Sequence, residues 1–295
     1  MAFDFGIFLQ IIFRSLETGG VYALSALGII IIYRTSNMTN FAQGVLGMFN
    51  TFTAAYLYNK FSLPLAVCVL ASVITAVICG FLIDFIVIRR TTNIPPVGKQ
   101  IITLGFIMVF LGATPLIFGV DPLKLPRFIN SGDISIGTAS ISHNALLNIG
   151  IGLAVMFGLF YFLQKTKWGL AVRTTASNEP IARLMGVPTK TVTLGAWAVA
   201  AILGTLAGIM IAPTTTVSVG FMDNVQVNAL LACILGGFQT FYGAVIGAFI
   251  IGIGRNLLLV YVSQTWGEQI LYLLILLVLV FMPYGILGKK TVKKV

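Results

Sequence analysis

The chain has 295 residues, of which 58% are hydrophobic and 9% charged, with a formal net charge of +10. A water-soluble domain carries about 25% charged residues, so this composition excludes a water-covered globule and calls for hydrocarbon as solvent. The basic excess does not indicate nucleic acid, because 13 of the 18 Lys and Arg sit in four short clusters between apolar stretches.

A hydrocarbon core of about 30 Å takes about 20 apolar residues as helix. Taken in order, the first candidate is residues 18–33, preceded by a less apolar run over 5–16 that crosses or re-enters separately or simply extends it. Residues 1–4 lack a basic n-region and no small-residue cleavage site follows, so no cleavable signal peptide is expected. Arg14 and Glu17 lie three apart on one helix face and can pair, which suits an interfacial helix or a neutralised pair better than a transport site. Further spans follow at 41–59, 61–83, 100–120, 144–164, 192–211, 237–262 and 269–287. Asp84, five residues before Arg89, is expected to turn toward that basic end. Residues 225–238 are apolar but short, and are interrupted by Gln226, Asn228 and Gly236-Gly237. A broken or re-entrant helix suits them, since such backbone is tolerated where it lines a cavity. No strand-like alternation recurs over about ten residues, which argues against a β-barrel. The expected fold class is all-α: a single polytopic transmembrane helical bundle over 1–295, with eight to ten membrane segments.

Basic residues in short loops stay cytoplasmic. This places Arg34, the group Arg89, Arg90 and Lys99, the group Lys165 to Lys190, and the terminal lysines Lys289, Lys290, Lys293 and Lys294 on the inner side. Loop 121–143 and the ends near Lys60 and Glu268 are then outside. Small residues at Gly204-x3-Gly208, Gly243-x3-Gly247 and Ala248-x3-Gly252 predict close helix packing. Arg255 follows Gly252-Ile-Gly254 within the penultimate span, where it either lines a solute pathway or snorkels to the outer interface. Cys68, Cys79 and Cys233 lie in apolar spans without metal-type spacing, and His143 is the only histidine.

The segment 165–190, KTKWGLAVRTTASNEPIARLMGVPTK, is a polar, basic island between 134–164 and 191–222, which carry no Asp, Glu, Lys or Arg. Its chemistry predicts a short helix outside the membrane. Ser177 or Asn178 is the N-cap, Glu179 and Pro180 form the first turn, and Gly186 followed by Pro188 stops it. Ile181, Leu184 and Met185 fall at i, i+3, i+4 and make a small apolar face. The island reads as a docking handle for a soluble motor. No GxxxxGK[ST] loop, GxSxG, HExxH or paired-carboxylate site occurs, so the motor is not in this chain and no enzymatic activity is expected. Nor is there a row of intramembrane carboxylates for an ion relay.

Four stretches resemble the permease subunits of branched-chain amino acid ABC importers. They are GGVYALSALGIIIIYRTSNMTNFAQGVLGMF (19–49), GLAVRTTASNEPIARLMGV (169–187), LLACILGGFQTFYGAVIGA (230–248) and LLILLVLVFMPYGILGKK (273–290). The chain departs from the family pattern in having Gln43 and Val45 where a His and a Glu are common, and Gly237-Phe-Gln239-Thr240 where G-x-G-S is usual. The resemblance implies that 174–188 is the coupling helix region seated on a cytoplasmic ATPase. Its residues would be Arg173, Ala176, Asn178, Glu179, Ile181, Ala182, Arg183, Leu184, Met185 and Gly186, with the two arginines meeting acidic groups of the partner. It implies a solute pathway for which Asn40, Phe41, Gln43, Gly44, Gln226, Asn228 and Arg255 are candidates, although each amide equally suits a hydrogen bond to a neighbouring helix. The implied partners are a paralogous second permease or a second copy, two ATPases that carry the ATP and Mg, and a periplasmic or extracellular binding protein. No cofactor is expected on this chain itself. The implied location is the inner membrane of a prokaryote, among lipid. A related importer for urea, short amides or another amino acid is the alternative, and a stand-alone secondary transporter a more distant one.

Overall fold

The computed structural model describes residues 5–91, 94–129, 132–136 and 139–288, so the terminal lysines from Lys289 onward fall outside the described residues. The elements in order are α1 (Phe5–Ser36), α2 (Gln43–Phe61), α3 (Leu65–Leu82), α4 (Pro96–Phe118), β1 (Asp133–Ile136), β2 (Ala139–Ser142), α5 (His143–Lys165), α6 (Lys167–Ser177), α7 (Glu179–Leu184), α8 (Thr189–Ile211), α9 (Asp223–Gly236), α10 (Phe241–Tyr261) and α11 (Gly267–Phe281). The last turns of the α3 span are a π turn at Ile83–Val87 and a 3-10 turn at Ile88–Thr91. Among the described residues, six helices are long and apolar enough to cross a membrane: α1, α3 with its continuation, α4, α5, α8 and α10. α2, α9 and α11 pack alongside them, giving a multi-pass helical bundle.

The two apolar runs at the N-terminal end form one helix, not two. At 1.5 Å per residue its 32 residues extend about 48 Å. The pair Gly19-Gly20 does not interrupt it, because a backbone in hydrocarbon must satisfy its polar groups internally. These glycines serve contact instead. A Cβ at Gly252 of α10 would stand 2.9 Å from the Gly19 Cα, and one at Gly19 would stand 2.7 Å from Phe249. The other small-residue pairs do the same. Gly204 and Gly208 of α8 face Gln43, Gly47 and Thr51 of α2, while Gly243 and Gly247 of α10 face Gly236 and Ala232 of α9. Burial concentrates in α1 and α8, whereas in α4 only Thr103 and Thr114 are buried. In water that exposure would be untenable. In lipid it is the outer surface of the bundle.

α9 has 14 residues, about 21 Å of helix, and needs the irregular segment before it to complete a passage. It is one continuous helix from Asp223 to Gly236. It starts beside loop 212–222 and ends at Gly237, whose φ of +91° turns the chain into α10. The turn lies next to the basic end of α1, where the Tyr33 and Phe238 rings are 4.7 Å apart and Arg34 lies 5.1 Å over Phe241.

The outer loops are more ordered than the sequence suggested. Loop 121–143 contains the antiparallel hairpin β1–β2, with Ile134 opposite Ile141. Four-residue strands are too short for a periodicity signal, which is why none was read. Leu123 pairs with Val217 through backbone hydrogen bonds of 3.0 and 2.9 Å, joining the two longest outer loops. Asn59 at the end of α2 donates to the Lys124 carbonyl at 2.8 Å, and the Ser140 amide donates to Gln10 of α1 at 2.6 Å.

Candidate functional site

Three clusters of polar or exposed side chains stand out, one at each end of the bundle and one at mid-depth. At the basic end, α7 is built as its sequence requires. Asn178, not Ser177, is the N-cap, its Oδ1 accepting from the Ile181 amide at 3.1 Å. Ser177 instead closes α6. Gly186 ends the helix with φ +82°, and the Val187 amide returns to the Ala182 carbonyl at 2.9 Å. Ala182 points inward at 2% exposure, while Ile181, Leu184 and Met185 stand out at 52%, 88% and 73%. Three large apolar side chains are therefore presented on a helix too short and polar to lie in a membrane. The arginines turn to their own chain. Arg183 bonds Glu179 at 2.6 Å and Thr189 at 2.9 Å, and Arg173 bonds the Gln164 carbonyl at 3.3 Å. Ala176 is half-buried two residues before the cap.

α7 rests close to the π turn. A small cleft of about 40 Å³ is shared by Asp84, Arg89, Lys99, Glu179, Arg183 and Lys190. Asp84 is fully buried and bonded by Arg89 at 3.1 Å, as the spacing predicted.

At mid-depth, the segment between α1 and α2 carries polar groups into the bundle. Asn40 donates to Gln43 at 3.3 Å, Gln43 donates to the Ala200 carbonyl of α8 at 2.7 Å, and the Gly44 amide donates to Gln226 of α9. The half-buried Phe41 bonds Thr103 of α4 through its amide at 3.2 Å. Asn228 donates to the Asn224 carbonyl at 2.7 Å and meets Tyr272. Five of the seven pathway candidates (Asn40, Phe41, Gln43, Gly44 and Gln226) thus share one region where α1, α2, α4, α8 and α9 converge. Asn40, Gln43 and Asn228 are fully buried, and in this conformation they join helices. The Gln226 Nε2 has no hydrogen-bond partner.

Arg255 lies apart from that group, near the outer end. Its Nε donates to Glu268 of α11 at 2.7 Å, which makes it a half-buried ion pair between α10 and α11. It also lines an open cavity of about 600 Å³ bordered by α1, α5, α8, α9, α10 and the β hairpin. The Arg14–Glu17 pair that the spacing allows does not form. Glu17 accepts from Asn148 of α5 at 2.8 Å, and the Arg14 side chain faces the same cavity. Arg127, Asp133 and Tyr22 also line it. Sequence reading missed them as a group because they come from a loop, a strand and a helix, with no motif linking them. Among the described residues no cluster of three or more potential metal ligands occurs.

Comparison with known proteins gives a consistent assignment. A family model described as "Branched-chain amino acid transport system / permease component" matches residues 11–280. The high-affinity branched-chain amino acid transport system permease protein LivH of Escherichia coli K12 is 27% identical over 311 residues, covering 100% of both chains. BraD of Pseudomonas aeruginosa, with the same description, is 27% identical over 98% of each. The autoinducer 2 import system permease protein LsrC of Escherichia coli is 27% identical over 88% of this chain and 75% of its own. No solved structure matches.

Proposed function

This chain belongs to the family of branched-chain amino acid transport system permease components, and from that premise we propose that it carries branched-chain or similar hydrophobic amino acids inward across the cytoplasmic membrane of a prokaryote, as one permease of a binding-protein-dependent ABC importer. It pairs with a second permease, paralogous or a second copy. Two cytoplasmic ATPases bind the ATP and Mg, and a solute-binding protein delivers cargo to the outer loops. The chain itself catalyses no reaction and holds no cofactor.

One observation carries the reading: Leu184 and Met185 are 88% and 73% exposed on a capped helix at the end of the bundle where the basic residues gather. Exposed apolar patches of this kind mark interaction surfaces, and a groove on a soluble ATPase would bury them. The fixed frame of α6, α7 and the foot of α8 would pass a displacement of that groove to α8, which packs on α1, α2 and α3. Charge repeats the logic, since Lys99 and Lys190 border the helix.

The test is the double variant Ile181→Asp/Leu184→Asp in the reconstituted importer. Full burial of a large aliphatic side chain is worth about 1.5–3 kcal/mol, so losing two weakens docking by roughly 10²-fold or more. Uptake should collapse while basal ATP hydrolysis by the ATPases persists. Uptake at the wild-type rate would rule the docking role out. A second reading concerns cargo only: the similarity to an autoinducer 2 import permease favours autoinducer 2. Titrating the cognate binding protein with leucine, valine, urea and autoinducer 2 distinguishes the two.

A further inference from the structure

The outer cavity has a charge pattern that the translocation reading does not require. Among the described residues, Arg255 is neutralised by Glu268. The remaining charged lining groups are Arg14 and Arg127 against Glu17 and Asp133, and no ion pair joins any of these four. Two cations and two anions face one space without cancelling each other. Glu17 is held in place by a neutral amide, Asn148, whose own Nδ2 also reaches the Met210 carbonyl at 3.2 Å. Between the charges the wall is mixed, with an apolar patch of Phe13, Val21, Phe221 and Val225 beside amides and hydroxyls such as Asn144, Asn224 and Thr214. The volume of about 600 Å³ falls within the roughly 300–1,000 Å³ of small-ligand sites, which combine apolar walls with a few convergent polar groups.

An anion site would collect cations alone, and a cation site carboxylates alone. Unpaired charges of both signs beside an apolar patch fit a molecule that carries both signs and an apolar body. We infer that this cavity is an outer subsite for a zwitterionic aliphatic amino acid, lying within one permease and reached before the passage shared with the second subunit. The carboxylate of the ligand is met by Arg14, whose guanidinium fork matches it, and its ammonium by Glu17, with Arg127 and Asp133 in the same lining. The side chain lies against Val21, Phe221 and Val225. The ordered rim supports the role. β2 is tied to Gln10 of α1, and the strand pairing Leu123–Val217 fixes the loops around the mouth, so the backbone around the cavity is ordered before any ligand arrives. This inference rests on the amino-acid reading above and adds a site to it.

The experiment measures equilibrium binding of radiolabelled leucine to the complete importer in nanodiscs, without binding protein, alongside ATP-driven leucine uptake with it. Arg14→Gln and Glu17→Gln should each weaken leucine binding about tenfold to a hundredfold, the loss expected for one hydrogen bond to a charged group. In the wild-type protein, isocaproate (no ammonium) and isoamylamine (no carboxylate) should each compete at least tenfold less well than leucine. This arm needs no substitution and so survives a variant that fails to fold. Wild-type leucine affinity in both variants, or isocaproate competing as well as leucine, overturns the subsite while leaving uptake intact. Absence of leucine uptake by the wild-type importer overturns the functional reading instead.

Discussion

Substituting Arg89→Gln removes the one charge that stabilises a wholly buried carboxylate. Asp84 has no exposed side-chain surface; its Oδ2 accepts from Arg89 at 3.1 Å and its Oδ1 has no hydrogen-bond partner. Breaking a buried pair by deleting one partner costs about 3–5 kcal/mol, because a charge is left uncompensated. Arg89 is 29% exposed, which softens the loss to about 2–3 kcal/mol by letting water reach the gap. Asp84→Asn should cost only about 1 kcal/mol, since the freed guanidinium keeps its route to water and its position 5.5 Å over the Phe85 ring. The double variant should recover most of the stability lost in Arg89→Gln. Thermal unfolding of the purified permease in one detergent reads this directly. At roughly 2–4 °C per kcal/mol, Arg89→Gln lowers Tm by about 5–10 °C, Asp84→Asn by about a third of that, and the double variant resembles Asp84→Asn. Equal single losses that add in the double variant would refute the reasoning, because additivity means the two side chains are not coupled.

Two further outcomes follow from packing. Gly252→Val should lower Tm by an amount equivalent to about 1–3 kcal/mol of overpacking, because its Cβ would stand 2.9 Å from the Gly19 Cα and 3.1 Å from the Ser15 carbonyl oxygen. Gly150→Val, with nothing within 4 Å of an added Cβ, should leave Tm unchanged, and similar Tm losses in both would count against close α1–α10 contact. Gln43→Leu severs the bond to Ala200 and strands the Asn40 amide, which costs about 0.6–1.7 kcal/mol inside a membrane bundle. The expected result is a lower Tm with the uptake KM unchanged for every substrate, whereas a KM that shifts for some amino acids and not others would put Gln43 in the solute path.

The membrane class, the order of the spans and the basic side of the bundle are legible in residues alone, because hydropathy, lysine and arginine placement and capping chemistry act locally. α7 shows this best: Asn178, Pro180, Gly186 and the spacing of Ile181, Leu184 and Met185 specify a capped amphipathic turn whatever surrounds it. Glycine pairs such as Gly204 and Gly208 likewise announce close packing, though not which helix fills the groove. What lay beyond the sequence was pairing at a distance. Arg14 and Glu17 are neighbours on α1, yet Glu17 is held by Asn148, 131 positions away, and Arg255 finds Glu268 on the next helix. In hydrocarbon a charged group takes whatever partner the bundle brings within reach, and that choice depends on how α1, α5 and α10 cross, which no local pattern encodes. The outer cavity has the same origin. Its charges come from a helix, a loop and a strand, and they share one space only because the two outer loops are tied together over the ends of the helices.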